Sequence, residues 1–101
     1  MLKKFDAYNL AIRLYQLGQS LRLPTHLRSQ FQRAASSVPL NFAEGSGRVT
    51  LADQRHFYSI ALGSLREVQA ILDLTNPQSE TAVTADKLGA CLWRLVHGPR
   101  K

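Results

Sequence analysis

Few side chains in this chain stand where a reaction would need them. His26, His56 and His97 fall on three separate segments with no acid or thiol at ligand spacing. Neither a metal centre nor an oriented general base can be read from them. Cys91 is the single cysteine; it lies in an apolar stripe and reads as a small buried hydrophobe, and one thiol makes neither an internal disulfide nor a thiolate zinc site. Gly45-Ser46-Gly47 lies ahead of a helix start, where exposed backbone N–H groups can meet an anion. No strand pattern precedes it and no Gly-Lys-Ser/Thr follows, so it reads as a helix stop, with Arg48 offering a phosphate contact at most. Gly63-Ser64 sits in an apolar run and reads as close helix packing rather than a catalytic serine. The expectation is a non-enzymatic, homo-oligomeric scaffold or interaction protein without cofactor or metal, with a basic oligomeric nucleic-acid-binding protein as the alternative.

Surfaces are the better place to look for function. Thirteen Lys and Arg against seven Asp and Glu give a net charge of +6, which favours an anionic partner. The cations are dispersed, with local pairs at Lys3-Lys4 and Arg100-Lys101, and form no Arg-rich block or basic-aromatic motif. If several copies assembled with Arg13, Arg22, Arg28, Arg55 or Arg66 on a common face, this modest charge would become a multivalent field. Those five arginines are the candidate contacts to RNA or DNA, and the binding expected of them is electrostatic and weakly sequence-selective. No apolar run approaches the roughly 20 residues that span a bilayer, so no membrane partner is expected. The N-terminus has no apolar stretch of a secretory signal, and a cytoplasmic location follows as an expectation.

The elements that must position these residues are helices. With 101 residues, 45% of them hydrophobic, one domain over 1–101 with one core is expected. The first helix spans about Asp6 to Leu21 and ends before Leu23-Pro24. The second begins near Thr25 as N-cap, carries Leu27, Phe31, Ala34, Ala35, Val38 and Phe42 in helical spacing, and stays in phase across a kink at Ser36 to Pro39. Thr50 and Asp53 form an acidic capping box for the third, whose apolar face reads Phe57, Ile60, Ala61, Ser64, Leu65, Val68, Ile71 and Leu72 before Asn76-Pro77. The fourth, about 79–97, carries Leu88, Cys91, Leu92 and Leu95 and ends at Gly98-Pro99. The fold class is all-α, with Phe31 and Phe57 expected in the core.

Helix one is apolar on two sides. Phe5, Tyr8, Ile12 and Tyr15 line one, and Leu10, Leu14, Leu17 and Leu21 the other. Either one stripe is harmlessly exposed or the helix lies between its own bundle and a second copy. The second alternative makes Leu10, Leu14, Leu17, Leu21 and the off-stripe Trp93 the homo-oligomer interface. On helix two, Gln30, Arg33, Ser37, Asn41 and Glu44 follow spacings of three and four, with Arg48 in line beyond them. This polar seam is an internal network linking Arg33 to Glu44 through Asn41, a solvated face, or a binding surface.

The stretch from Arg33 to Arg48, reading Arg33-Ala34-Ala35-Ser36-Ser37-Val38-Pro39-Leu40-Asn41-Phe42-Ala43-Glu44-Gly45-Ser46-Gly47-Arg48, together with Phe57 and Ala61-Leu62-Gly63-Ser64-Leu65-Arg66-Glu67, closely resembles a known family. It is the four-helix-bundle family encoded in intervening sequences of bacterial 23S ribosomal RNA genes. Upstream, Phe5, Tyr8, Ala11 and Leu23-Pro24 look like the family's first helix, with Tyr8 where many relatives carry tryptophan, and beyond Asn76 the likeness fades. The resemblance implies an up-and-down antiparallel four-helix bundle and a homopentameric assembly. It implies no reaction. Similar proteins serve as accessory factors of diversity-generating retroelements, which implies RNA or DNA and a reverse transcriptase as partners.

Overall fold

Local chemistry sets the helix boundaries between α1 and the end of α4. The computed structural model describes residues 4–98, with side chains described from Asp6 onward; Lys3, Pro99, Arg100, Lys101 and the Phe5 side chain lie outside the described residues. Four helices follow one another: α1 (Lys4–Gly18), α2 (Thr25–Ser46), α3 (Leu51–Thr75) and α4 (Glu80–His97). The end of α1 falls one turn short of Leu21, because the N–H groups of Gln19 and Leu21 close tight turns onto the carbonyls of Gln16 and Gly18, both at 3.2 Å. Pro24, not Thr25, takes the N-cap position of α2 and makes no side-chain cap bond. Proline suits a helix entrance, since its missing N–H would be unpaired there anyway. Thr50 Oγ1 accepts from the Asp53 N–H at 3.1 Å, as its spacing predicts, and Ser79 Oγ caps α4 by accepting from Ala82 N–H at 3.1 Å. Pro39 lies inside α2, which continues as one helix to Ser46.

Contacts fix the topology. Gly18 meets Phe31 and Tyr8 meets Phe42, so α2 descends as α1 rises. Gln30 bonds Glu67 and Ser46 meets Tyr58, Gln69 bonds Asp86, and Arg13 pairs with Glu80. Every neighbouring pair is antiparallel. The helices touch only in the order α1, α2, α3, α4 and back to α1, with no diagonal contact among the described residues. This is an up-and-down antiparallel four-helix bundle around one core to which all four helices contribute, with Leu23 of the first connection also buried against it.

Two expectations about that core are corrected by the structure. The core face of α1 is Ala7, Ala11, Leu14 and Gly18, and it bisects the two apolar stripes. Leu14 is 0% exposed and packs within its own bundle, so it is not an intersubunit contact. Leu10, Tyr15 and Leu21 pack against the same core from either side, and Tyr8 lies 6.1 Å from Phe42. The two stripes are thus the flanks of one buried face. What hid it is the smallness of Ala7, Ala11 and Gly18: a Cβ on Gly18 would fall 2.5 Å from Phe31 Cε1, so a bare backbone is what lets Phe31 seat there. On α3 the face runs through Ala61, Leu65, Val68, Ile71 and Leu72 as the spacing predicts, and differs only at its start. Tyr58 is the buried ring, 2% exposed and stacked on Phe42 at 5.0 Å, while Phe57 is half-buried and Ile60 exposed. Tyr58 can be buried because its hydroxyl meets Ser46 Oγ at 3.1 Å. Phe31 is fully buried.

Candidate nucleic-acid interface

The five candidate arginines do not share one face. Arg13 on α1 is paired with Glu80 of α4. Arg22 lies in the first connection, its carbonyl accepting from Asn76 Nδ2, and Arg28 in the first turns of α2 donates from Nη2 to the Leu23 carbonyl at 3.3 Å. These three sit toward the end of the bundle where α1 stops and α4 starts. Arg55 and Arg66 are different. They lie three turns apart on α3, and both meet α4.

That flank is built residue by residue. Arg55, Ser59, Leu62, Arg66 and Gln69 recur at three and four along α3, so they form a row. Gly89 on α4 lets the row approach: a Cβ there would fall 3.1 Å from Arg66 Nη1 and 3.3 Å from Gln69 Nε2. Arg66 Nη1 donates to Gln69 Oε1 at 2.7 Å, and Gln69 Nε2 donates to Asp86 Oδ1 at 3.0 Å. Four residues beyond Gly89 comes Trp93, half-buried, and four beyond that His97, exposed. The two rings stack with centroids 4.4 Å apart at 26°. His97 Nδ1 lies 3.0 Å from the Trp93 carbonyl oxygen; a carbonyl only accepts, so Nδ1 carries the proton and donates. Arg55 closes the row, its Nη2 4.0 Å from where a Cβ on Gly98 would sit, beside the carbonyl end of α4. A cation there offsets the partial negative charge of that terminus.

The polar seam of α2 divides between bonds across to α3 and pairs within itself. Gln30 Nε2 donates to Glu67 Oε2 at 2.9 Å and Arg33 reaches the same oxygen at 3.4 Å. Asn41 Nδ2 donates to the Ser37 carbonyl and hydroxyl at 3.0 and 2.9 Å, and Ser37 Oγ lies 2.8 Å from Ser64 Oγ. Glu44 pairs with Arg48 at 2.6 Å, and Arg48 lies over the Phe57 ring at 4.6 Å. The expected Arg33 to Glu44 link is therefore replaced by two separate exposed pairs. Glu67 supplies the partner that α2 alone could not reveal. Gly45-Ser46-Gly47 ends the helix with Gly47 N–H on the Ala43 and Glu44 carbonyls, both at 3.2 Å.

Of the expected intersubunit residues, Leu10 and Leu21 pack against the core, Leu17 is half-buried, and Trp93 belongs to the α3–α4 flank just described. Cys91 is buried; burial pushes its thiol up, and the nearby Asp6 charge adds to this. Among the described residues, no three His, Cys, Asp or Glu side chains gather as metal ligands. No helix among them is long and apolar enough to cross a membrane.

Residues 4–83 match the 23S rRNA-intervening sequence protein family. The chain belongs to that family. The match runs from the start of α1 into the first turn of α4, so it takes in Arg55 and Arg66, whereas Trp93 and His97 lie past its end. No curated protein matches the chain. His97 was the residue of this flank that sequence reasoning passed over, as a lone histidine. The i, i+4 spacing from Trp93 was the available sign, since it stacks two rings on one helix face.

Proposed function

We propose that this protein is a non-enzymatic helical bundle that binds nucleic acid through the α3–α4 flank. The observation that carries the reading is the convergence of Arg55 and Arg66 with the Trp93–His97 pair along one edge. Arg55 makes no ion pair with a described residue, and Arg66 is steadied by a neutral glutamine rather than a carboxylate. Both keep their charge available to phosphate. The protein's excess of six positive charges supplies the long-range attraction.

The test is binding of a labelled oligonucleotide across a salt series. Affinity should fall with salt, with a slope of about −0.7 per phosphate contacted on single strands and −0.9 on duplex DNA. Arg55→Gln with Arg66→Gln should weaken all sequences alike and flatten the slope, whereas Arg13→Gln should do little. Absence of binding at low salt, or tight binding that survives high salt, refutes the proposal.

A second reading, self-association into a scaffold, draws on apolar side chains left in solvent on α2 and around the α2–α3 connection. Leu40, Val49 and Leu51 are 67%, 96% and 66% exposed, a demand that a second copy would meet. Native mass spectrometry at micromolar concentration checks it, and monomer alone refutes it.

A further inference from the structure

Resting on the nucleic-acid reading of this flank, we propose that the Trp93–His97 stack is a platform for one unpaired base, so that single strands bind in preference to duplex. The platform is already ordered. His97 is held twice, by its ring against the indole at 4.4 Å and by Nδ1–H on the Trp93 carbonyl at 3.0 Å. Little rotamer freedom is left for a ligand to remove, which favours binding. His97 is exposed, so a base laid on it extends an existing stack outward.

A base inside a duplex has both faces covered by its neighbours and cannot offer one to a protein ring without unpairing. An unpaired base can, whatever its identity, because every base has a π-face. The flanking cations fit a short strand. Arg55 stands at the His97 end, beside Gly98, where the phosphate next to a stacked base would lie. Eleven residues along α3, about 16 Å at 1.5 Å per residue, Arg66 marks the other end. That span takes a few nucleotides of an unpaired strand. Beyond Arg66 the flank turns acidic, since Gln69 leads on to Asp86. The bound segment therefore runs between the two arginines and stops there. RNA and DNA share this chemistry, and the platform makes no use of the 2′-hydroxyl.

The experiment uses the full chain with labelled twelve-nucleotide single strands, in separate RNA and DNA arms, and a duplex of matched length. Trp93, the only tryptophan, reports directly. Single strands should bind more tightly than duplex and change the Trp93 emission, equally for RNA and DNA. His97→Ala should lower single-strand affinity about five- to 150-fold, the factor that stacking on an aromatic side chain is worth, and so narrow or abolish the preference for single strands over duplex. His97→Phe keeps a ring in place and should keep the preference. Equal affinity for duplex and single strands, or a His97→Ala protein that binds single strands as well as wild type, overturns the platform while leaving the electrostatic reading intact. Absence of binding to every probe at low salt overturns both.

Discussion

The same chemical change, glycine to alanine, should have opposite effects at Gly45 and Gly63. A Cβ on Gly63 would meet nothing within 4 Å, so Gly63→Ala in the middle of α3 adds only helix propensity, about 0.8–1 kcal/mol of stabilisation. At Gly45 the added carbon would fall 2.8 and 2.9 Å from Tyr58 Cε1 and Cδ1 and 3.1 Å from the Gln54 carbonyl oxygen. The ring has no room to withdraw, being 2% exposed, stacked on Phe42 and tied through its hydroxyl to Ser46. Overpacking of this kind costs about 1–3 kcal/mol. The propensity gain offsets about 1 kcal/mol of it, so the net change is a loss of up to about 2 kcal/mol. Urea unfolding followed by circular dichroism gives both values, and thermal melting should show each kcal/mol as a shift of about 4–8 °C. A Gly45→Ala protein stabilised as much as Gly63→Ala would refute the placement of Tyr58 against that backbone. Loss of stability in Gly63→Ala would refute the open space beside α3.

Phe31→Ala should cost about 3–5 kcal/mol, whereas Phe57→Ala should lose only partial burial and a surface cation–π contact of about 0.5–1 kcal/mol with Arg48; denaturant midpoints compare them. A double-mutant cycle between Arg33 and Glu44 should show no coupling, while Arg48 with Glu44 should show about 0.3–0.5 kcal/mol, as exposed i, i+4 pairs do. Cys91 holds its proton more tightly folded than unfolded. Its contribution to stability is therefore fully present below the ordinary thiol range, about pH 8.5, and is lost as pH rises through the raised folded value. Stability measured against pH should decline on that side less steeply in Cys91→Ala, and alkylation of native protein should lag behind that of a free thiol.

The helices were legible because their boundaries are local: Pro24, Thr50, Ser79 and Asn76 act within a turn of where they stand. The buried face of α1 was not, because its residues are mostly Ala7, Ala11 and Gly18, and a row of small side chains carries little hydrophobic weight while permitting the closest approach. Phe57 and Tyr58 were ambiguous for another reason. Either ring suits the period of α3, and only the position of Ser46 on α2 gives the tyrosine hydroxyl a partner inside. The Gln30 and Arg33 partner, Glu67, lies on another helix and is invisible to spacing along α2. For the α3–α4 flank the residues were half legible. Arg55, Arg66 and Trp93 were singled out separately, but their meeting depends on the antiparallel register of α3 and α4 and on the missing side chain of Gly89.

The thin face of α1 bears on how the bundle breathes. α1 contributes a single large side chain, Leu14, to its fully buried row, whereas α2 and α3 are joined by Phe31, Val38, Phe42, Tyr58, Leu65 and Val68 and cross-tied through Ser37–Ser64 and Gln30–Glu67. Peeling α1 away uncovers less apolar surface than separating α2 from α3, and the free energy of opening scales with that surface. Amide hydrogens of α1 will therefore exchange with solvent through departure of that helix alone, and those in the middle of α2 and α3 only when the whole chain unfolds. The α2–α3 and α3–α4 hairpins, each closed by a connection of four residues, are also the most local of the large contacts. Short loops close early, so these hairpins form first and α1 docks onto a surface already made.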